Sequence, residues 1–172
     1  MKSGNDFDRW FRLFVNGYRD KVTRFVSLFV NDRMTCEEVA SDVFVSVWQH
    51  RDEIPEIEHI DNYLFIIAKN KALNRLRLEK HVNIDIDDID ADAFCFTDTT
   101  PESIYISKEI AEELNRAINE LPSRTRMAFM LVREQKKTYN EAAEILSVSP
   151  KTIEKQVTSA TTKLREKLKH LR

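Results

Sequence analysis

Glycine is nearly missing from this chain: of 172 residues only Gly4 and Gly17 are glycine. A glycine-rich loop that wraps a phosphate in backbone amides is therefore excluded from the rest of the sequence. Cysteine is equally scarce, and Cys36 and Cys95 lie far apart, as expected of reduced thiols outside any ligand cluster. His50, His59, His81 and His170 are scattered too, so neither a metal cage nor a nucleophile with its base is suggested. No run reaches the apolar length that crosses a bilayer, and the opening MKSGNDFDRWFRLF lacks the apolar core of a signal peptide. The expectation is a cytoplasmic chain with no cofactor, no metal, no membrane insertion and no catalytic residues.

Turning to what is present, 33% of residues are charged and long alternating β-branched runs do not occur, which points to helices throughout. The length suits one sizeable domain or two small ones. Net charge is −2, but it is distributed unevenly. Residues 1–78 balance at 12 basic and 12 acidic, residues 79–103 carry one basic against eight acidic, and residues 104–172 carry 14 against nine. A basic carboxy-terminal part suits a phosphate-bearing partner, from which the acidic stretch would be repelled.

The clearest local signal is TYNEAAEILSVSPKTIEKQVTSATTKLREKLKHLR (138–172). Thr138 and Glu141 form a capping-box pair, and Ala142, Ala143, Ile145 and Leu146 give a small apolar side. About three residues then separate this helix from Ser149-Pro150, a second cap with proline at the first helical position. Two helices joined by so short a turn read as a helix-turn-helix. In the second helix Ile153, Val157, Ala160 and Leu164 share one face and must be buried. Lys151, Thr152, Lys155, Gln156, Ser159 and Thr162 remain to meet a partner or simply solvent; glutamine can pair with adenine, and lysine with guanine or phosphate.

Upstream, Phe7, Trp10, Phe11, Phe14 and Val15, then Val22, Phe25, Val26 and Phe29, predict a long amphipathic helix with Gly17 the candidate point for a bend. Thr35 and Glu38 predict a capping box opening a helix with Val39, Ala40, Val43, Phe44, Val47 and Trp48 on its apolar stripe. A loop over 50–61 containing Pro55 precedes a helix over 62–80, apolar early and polar late. These three helices make a first domain over 1–80. An acidic linker over 81–103 follows, whose Val82, Ile84, Ile86, Ile89, Phe94 and Phe96 either pack on the protein itself or thread along a partner. A second domain over 104–172 starts with a helix marked by Ile110, Leu114, Ile118 and Leu121, ended near Pro122, and Met127 to Val132 supply the next. The fold class is all-α: two small helical domains, the second with a helix-turn-helix.

EEVASDVFVSVWQ (37–49), NYLFIIAKNKALNRLR (62–77) and LPSRTRMAFMLVREQKKTYNEAAEILSVSPKTIEKQVTSATTKLRE (121–166) occur in that order around a linker. Together they resemble the extracytoplasmic-function (ECF) sigma factors of bacterial RNA polymerase, a branch of the sigma-70 family. In its aromatic, leucine-poor style the chain most resembles the Bacteroidetes branch. The resemblance implies a promoter-directing role without catalysis: core RNA polymerase held at clamp and flap, promoter DNA bound at the −10 and −35 elements, and an anti-sigma factor, possibly membrane-linked, as antagonist. Asp42, Trp48 and Gln49 correspond to the clamp-facing helix, although Trp48 could equally fill the core. His50, Arg51 and Asn62 belong to the part that captures a flipped −10 base, and Asn70, Asn74, Arg75 and Arg77 lie beside the opened strand, the two arginines alternatively being surface charge. Lys151, Thr152, Lys155, Gln156 and Ser159 fall at the −35 reading helix, with Arg124 and Arg126 as backbone clamps. The linker resembles the segment that occupies the RNA path.

Three departures bear on that expectation. Ser147 stands where the family often has glycine in the turn, Asn74 where it often has Asp, and Gln156 and Ser159 where His and Arg are frequent. The changed side chains remove potential charge at the DNA, so the preferred promoter sequence stays open. Two other readings fit the same helices: an adaptor or anti-sigma-binding mimic that never opens DNA, and a free-standing helix-turn-helix regulator.

Overall fold

The computed structural model describes residues 4–89 and 108–171, and every regular element among them is helical. Asp90, Asp92, Phe94, Phe96 and the expected second-domain start at Ile104 lie outside the described residues. The first helix, α1 (Gly4–Ser27), runs through Gly17 as one continuous helix. A helix that long is held by its aromatic ladder: Phe7, Trp10, Phe11, Phe14 and Tyr18 place neighbouring rings 4.8 to 6.0 Å apart.

Helix α2 (Arg33–Gln49) begins two residues before Thr35, because Asp32 is the cap. The Asp32 carboxylate accepts from the Thr35 amide at 2.8 Å and from its hydroxyl at 2.7 Å. Thr35 therefore supports the cap instead of forming it, and Asp, an equally good cap, wins by position. A short 3-10 turn (Ile54–Glu56) carries Pro55 and leads into α3 (Ile60–Lys80). Val22, Val26, Val43, Val47, Leu64, Ala68 and Ala72 are buried where the three helices meet, with Phe25 edge-on to Phe29 and Phe65.

The second bundle comprises α4 (Lys108–Asn119), α5 (Ser123–Phe129), a π turn (Met130–Glu134), α6 (Tyr139–Leu146) and α7 (Pro150–Lys167). Met127, Leu131, Ile145, Ile153 and Ala160 form its centre. Ile118 and Leu121 join it as expected, but Ile110, one turn too far out, stays exposed.

With so little glycine, the left-handed positions that end helices fall to other residues. His81, Lys136 and Ser147 all take φ near 55°, a conformation that costs a residue with a Cβ roughly 1–2 kcal/mol. At Ser147 the compensation is visible: its amide and that of Val148 donate back to Glu144 and Ala143, satisfying carbonyls at the end of α6.

The two bundles are not separate. α6 packs on α3, and the buried apolar residues of both form one continuous cluster. The start of the linker joins them: Ile84, Ile86 and Ile89 are buried, a 3-10 turn (Ile86–Asp88) sits between, Arg77 donates to the Ile84 carbonyl and Ser123 to that of Ile89. For residues 84–89, packing on the protein itself is what the apolar side chains do; Val82 stays exposed.

Candidate nucleic-acid interface

The helix-turn-helix forms by the local chemistry expected of it. Thr138 and Glu141 exchange both capping-box hydrogen bonds, at 3.2 and 2.8 Å. The Ser149 hydroxyl accepts from the Thr152 amide at 3.1 Å, with Pro150 opening α7. Ile153, Val157, Ala160 and Leu164 point inward, which leaves Lys151 and Lys155 exposed on the outer face. Lys151 meets Glu154 at 3.1 Å, an exposed pair that a phosphate can displace cheaply. Thr152, Gln156 and Ser159 are half-buried along one flank, and the Gln156 side-chain oxygen has no partner. That oxygen is enclosed, so a base edge meets it only once the side chain turns outward.

The two expected backbone clamps separate. Arg124 is partly exposed and reaches Asp85 at 3.1 Å. Arg126 is fully buried and donates to the Asn119 carbonyl at 3.2 Å, so it ties α5 to the end of α4. A guanidinium enclosed in the bundle core does not reach a DNA backbone, and the clamp assignment of Arg126 is corrected to a structural one.

On the first bundle, Asp42 and Gln49 are exposed on α2. Trp48 does two things at once: Phe7 and Phe11 pack on it at 5.5 and 5.1 Å, yet 36% of it remains exposed. Arg51 lies over its ring at 5.4 Å and donates to its carbonyl, and His50 caps α2 through Ser46. On α3, Asn70 and Asn74 are exposed one turn apart and therefore share a face. Arg77 donates to the Asn74 side-chain oxygen at 3.3 Å. Arg75 spans Glu79 at 2.9 Å and Glu38 at 3.1 Å, stapling α3 to α2, so its charge is already matched.

Asn62 is the second correction. It is 2% exposed and donates to Glu144 of α6 at 3.1 Å, which places it in the seam between the bundles and away from an open surface. This seam is almost silent in the sequence. Lys137, its side chain 4% exposed, meets Asp61 at 2.5 Å and lies over the Phe65 ring. Lys69 of α3 donates to Ser147 in the turn at 3.2 Å, and Arg24 meets Glu134 at 2.5 Å. Burial pushes the Asp61 carboxyl up, but the hydrogen bond and charge of Lys137 outweigh it and hold the group below its usual range. Burial, with Arg124 nearby, lowers Lys69, and burial raises Glu134 against the pull of Arg24. One signal was legible: Lys69 interrupts the apolar positions Phe65, Ala68, Ala72 and Leu76.

Among the described residues no group of three acidic, histidine or cysteine side chains is placed to hold a metal, and no helix is long and apolar enough to cross a membrane.

Residues 14–82 match the model of sigma-70 region 2, and residues 111–164 that of sigma-70 region 4. The ECF RNA polymerase sigma-E factor of Escherichia coli K12 is 26% identical over 168 residues, covering 94% of this chain and 87% of that protein. The ECF sigma factor SigW of Bacillus subtilis is 20% identical over 91% of this chain and 88% of its own. In fold, the chain is similar to the sigma factor RpoE of Bartonella quintana solved with the anti-sigma factor NepR, at a TM-score of 0.70, 20% identity and coverage of 94% and 98%. It is likewise similar to CnrH solved with the cytosolic domain of CnrY, at 0.63, 19% identity and coverage of 95% and 90%. With the helix-turn-helix in the segment matching region 4, the exposed asparagines of α3 in the segment matching region 2, and the two regions together spanning well over half its length, the chain belongs to the sigma-70 family of promoter-directing transcription factors.

Proposed function

We propose that this sigma factor loads onto core RNA polymerase through the exposed face of α2, reads the −35 element with α7 and holds the opened −10 strand against α3. The observation that carries the division of labour is the pair of unlike polar faces. Lys151 and Lys155 project from a capped helix that fits a major groove, whereas Asn70 and Asn74 project from a helix whose other side is core. Amide side chains offer donors and acceptors to the edges of unstacked bases, and a base out of its stack costs a few kcal/mol that such contacts must offset. Asp42, Gln49 and the exposed edge of Trp48 form the clamp-facing surface, with His50 and Arg51 at its end near the −10 strand. Thr152, Gln156 and Ser159 read the upstream bases, Arg124 holds the backbone, and Arg75 and Arg77 chiefly fix α3.

By its likeness to relatives solved with anti-sigma factors, this chain takes such an antagonist, with a membrane-linked one in keeping with the Bacteroidetes style of the sequence, and works in the cytoplasm. Reconstituted transcription with purified core polymerase on a genomic promoter library tests the reading. Transcripts from specific promoters are expected only with both proteins present; a free-standing regulator would bind duplex without polymerase, and an adaptor would give no transcript. Asn70→Ala or Asn74→Ala should impair opening more than recruitment, and unchanged permanganate reactivity of the bubble would remove these residues from strand capture. Gln156→Ala should alter preference at the upstream element and not affinity for all sequences alike.

A further inference from the structure

A cleft on the flank of α7 opposite Gln156 is untouched by these assignments. Arg133, Tyr139, Thr158, Thr161, Thr162 and Arg165 line a recess of about 210 Å³ between the π turn, the start of α6 and the later half of α7. Its lining holds two guanidinium groups and no carboxylate. Arg133 and Arg165 are exposed, whereas Arg24, Arg75 and Arg124 are each matched by an acidic side chain. Thr161 and Thr162 donate their hydroxyl protons to carbonyls of their own helix, at 2.8 and 3.0 Å. The two arginines, the Tyr139 phenol and the Thr158 hydroxyl are thus the donors lining a recess with room for one phosphate group.

We propose that this cleft binds a single backbone phosphate of the upstream promoter duplex, beyond the bases that α7 reads. The placement favours DNA backbone over a free anion. At 100° per residue, Thr162 falls within the arc from Lys151 to Lys155 and Thr158 lies about 20° outside it toward Arg165, so a helix seated in the major groove by that face brings its flank against one bordering strand. Arginine is suited to the task because its fork matches two phosphate oxygens at once. A phosphate held here fixes the rotation of α7 about its axis and so sets which side chains reach the bases.

This inference rests on the promoter-binding reading above, and its test separates the two. Core polymerase carrying the full-length wild-type chain or R133A/R165A is titrated against promoter duplexes in which upstream phosphates are replaced one at a time by uncharged methylphosphonate. Wild type should lose about tenfold in affinity at one position, as expected for a charge-assisted contact. The double variant should bind that duplex and the unmodified one equally, lower the slope of log affinity against log salt by about one, and weaken matched and scrambled upstream elements alike. R133K/R165K should restore part of the loss. A double variant that keeps the wild-type sensitivity to every methylphosphonate, or the wild-type salt slope, overturns the proposal while promoter direction stands. Weakened binding to core polymerase without DNA would assign the cleft to a protein and overturn it as well. Failure of wild-type holoenzyme to prefer any promoter would instead remove the reading beneath it.

Discussion

Lys137→Met should loosen the seam between the bundles and make the protein bind core polymerase more tightly. The −10 and −35 elements lie on the order of 25 base pairs apart, roughly 85 Å of duplex at 3.4 Å per pair. In this structure α3 touches the helix-turn-helix directly, through Lys69 and Ser147. One molecule cannot serve both elements in that arrangement, so the bundles must part. Lys137 is the best-buried ion partner across the seam, meeting Asp61 at 2.5 Å with its ammonium over Phe65. Breaking a fully buried pair costs about 3–5 kcal/mol, but the Asp61 side chain is one third exposed and screened by water. With the cation–π contact included, a loss of about 2 kcal/mol is reasonable, near a thirtyfold shift toward the parted form. If polymerase accepts only that form, apparent affinity rises with its fraction, up to the limit set by complete opening. Equilibrium binding to core polymerase, with small-angle scattering to follow overall size, measures this. Unchanged affinity together with an unchanged scattering curve would refute the reasoning. The pH dependence has a definite sign: Asp61 is held below its usual pKa, so its contribution is present at neutral pH and disappears as pH falls through that lowered value.

Other expectations follow from the same contacts. Lys69→Met should act oppositely to Lys137→Met, favouring the packed arrangement by about 1 kcal/mol and weakening polymerase binding several-fold, because burial of Lys69 disfavours its charge and its partner is only a hydroxyl. The wild-type seam should likewise tighten as pH rises from the lowered Lys69 pKa toward 10.5, and the Met variant should lose that rise. Ser147→Gly should relieve the left-handed backbone of the turn and raise the thermal midpoint, a gain of about 1 kcal/mol reduced by the lost Lys69 contact. Arg126→Ala should destabilise the second bundle by about 3 kcal/mol in thermal unfolding, and a folded variant with selectively weakened DNA binding would restore the clamp role that its burial denies.

Much of the architecture was legible because it is written in local chemistry. The Thr138 and Ser149 caps, Pro150 and the spacing of Ile153, Val157, Ala160 and Leu164 each act within a few residues, and each took the expected conformation. At α2 the same rule succeeded in kind and slipped by a few positions, since Asp32 and Thr35 are both good caps and only geometry decides between them. The misassignments share another cause. Asn62 and Arg126 look like surface side chains in a one-dimensional pattern, and whether they reach solvent depends on partners such as Glu144 and Asn119, 82 and seven residues away. The Arg133–Arg165 cleft was hidden for the same reason: residues from three elements meet there, and none stands out alone.

The buried strip of Ile84, Ile86 and Ile89 also works as a ruler. While it stays docked, 18 residues connect Ile89 to α4, and a chain of that length spans at most about 65 Å fully extended. Peeling residues 82–89 away releases up to about 28 Å more, at the expense of exposing three isoleucines, each worth roughly 1.5–3 kcal/mol of burial. Separation of the two bundles beyond that span is thus drawn against a defined hydrophobic resistance, on top of the seam contacts broken first.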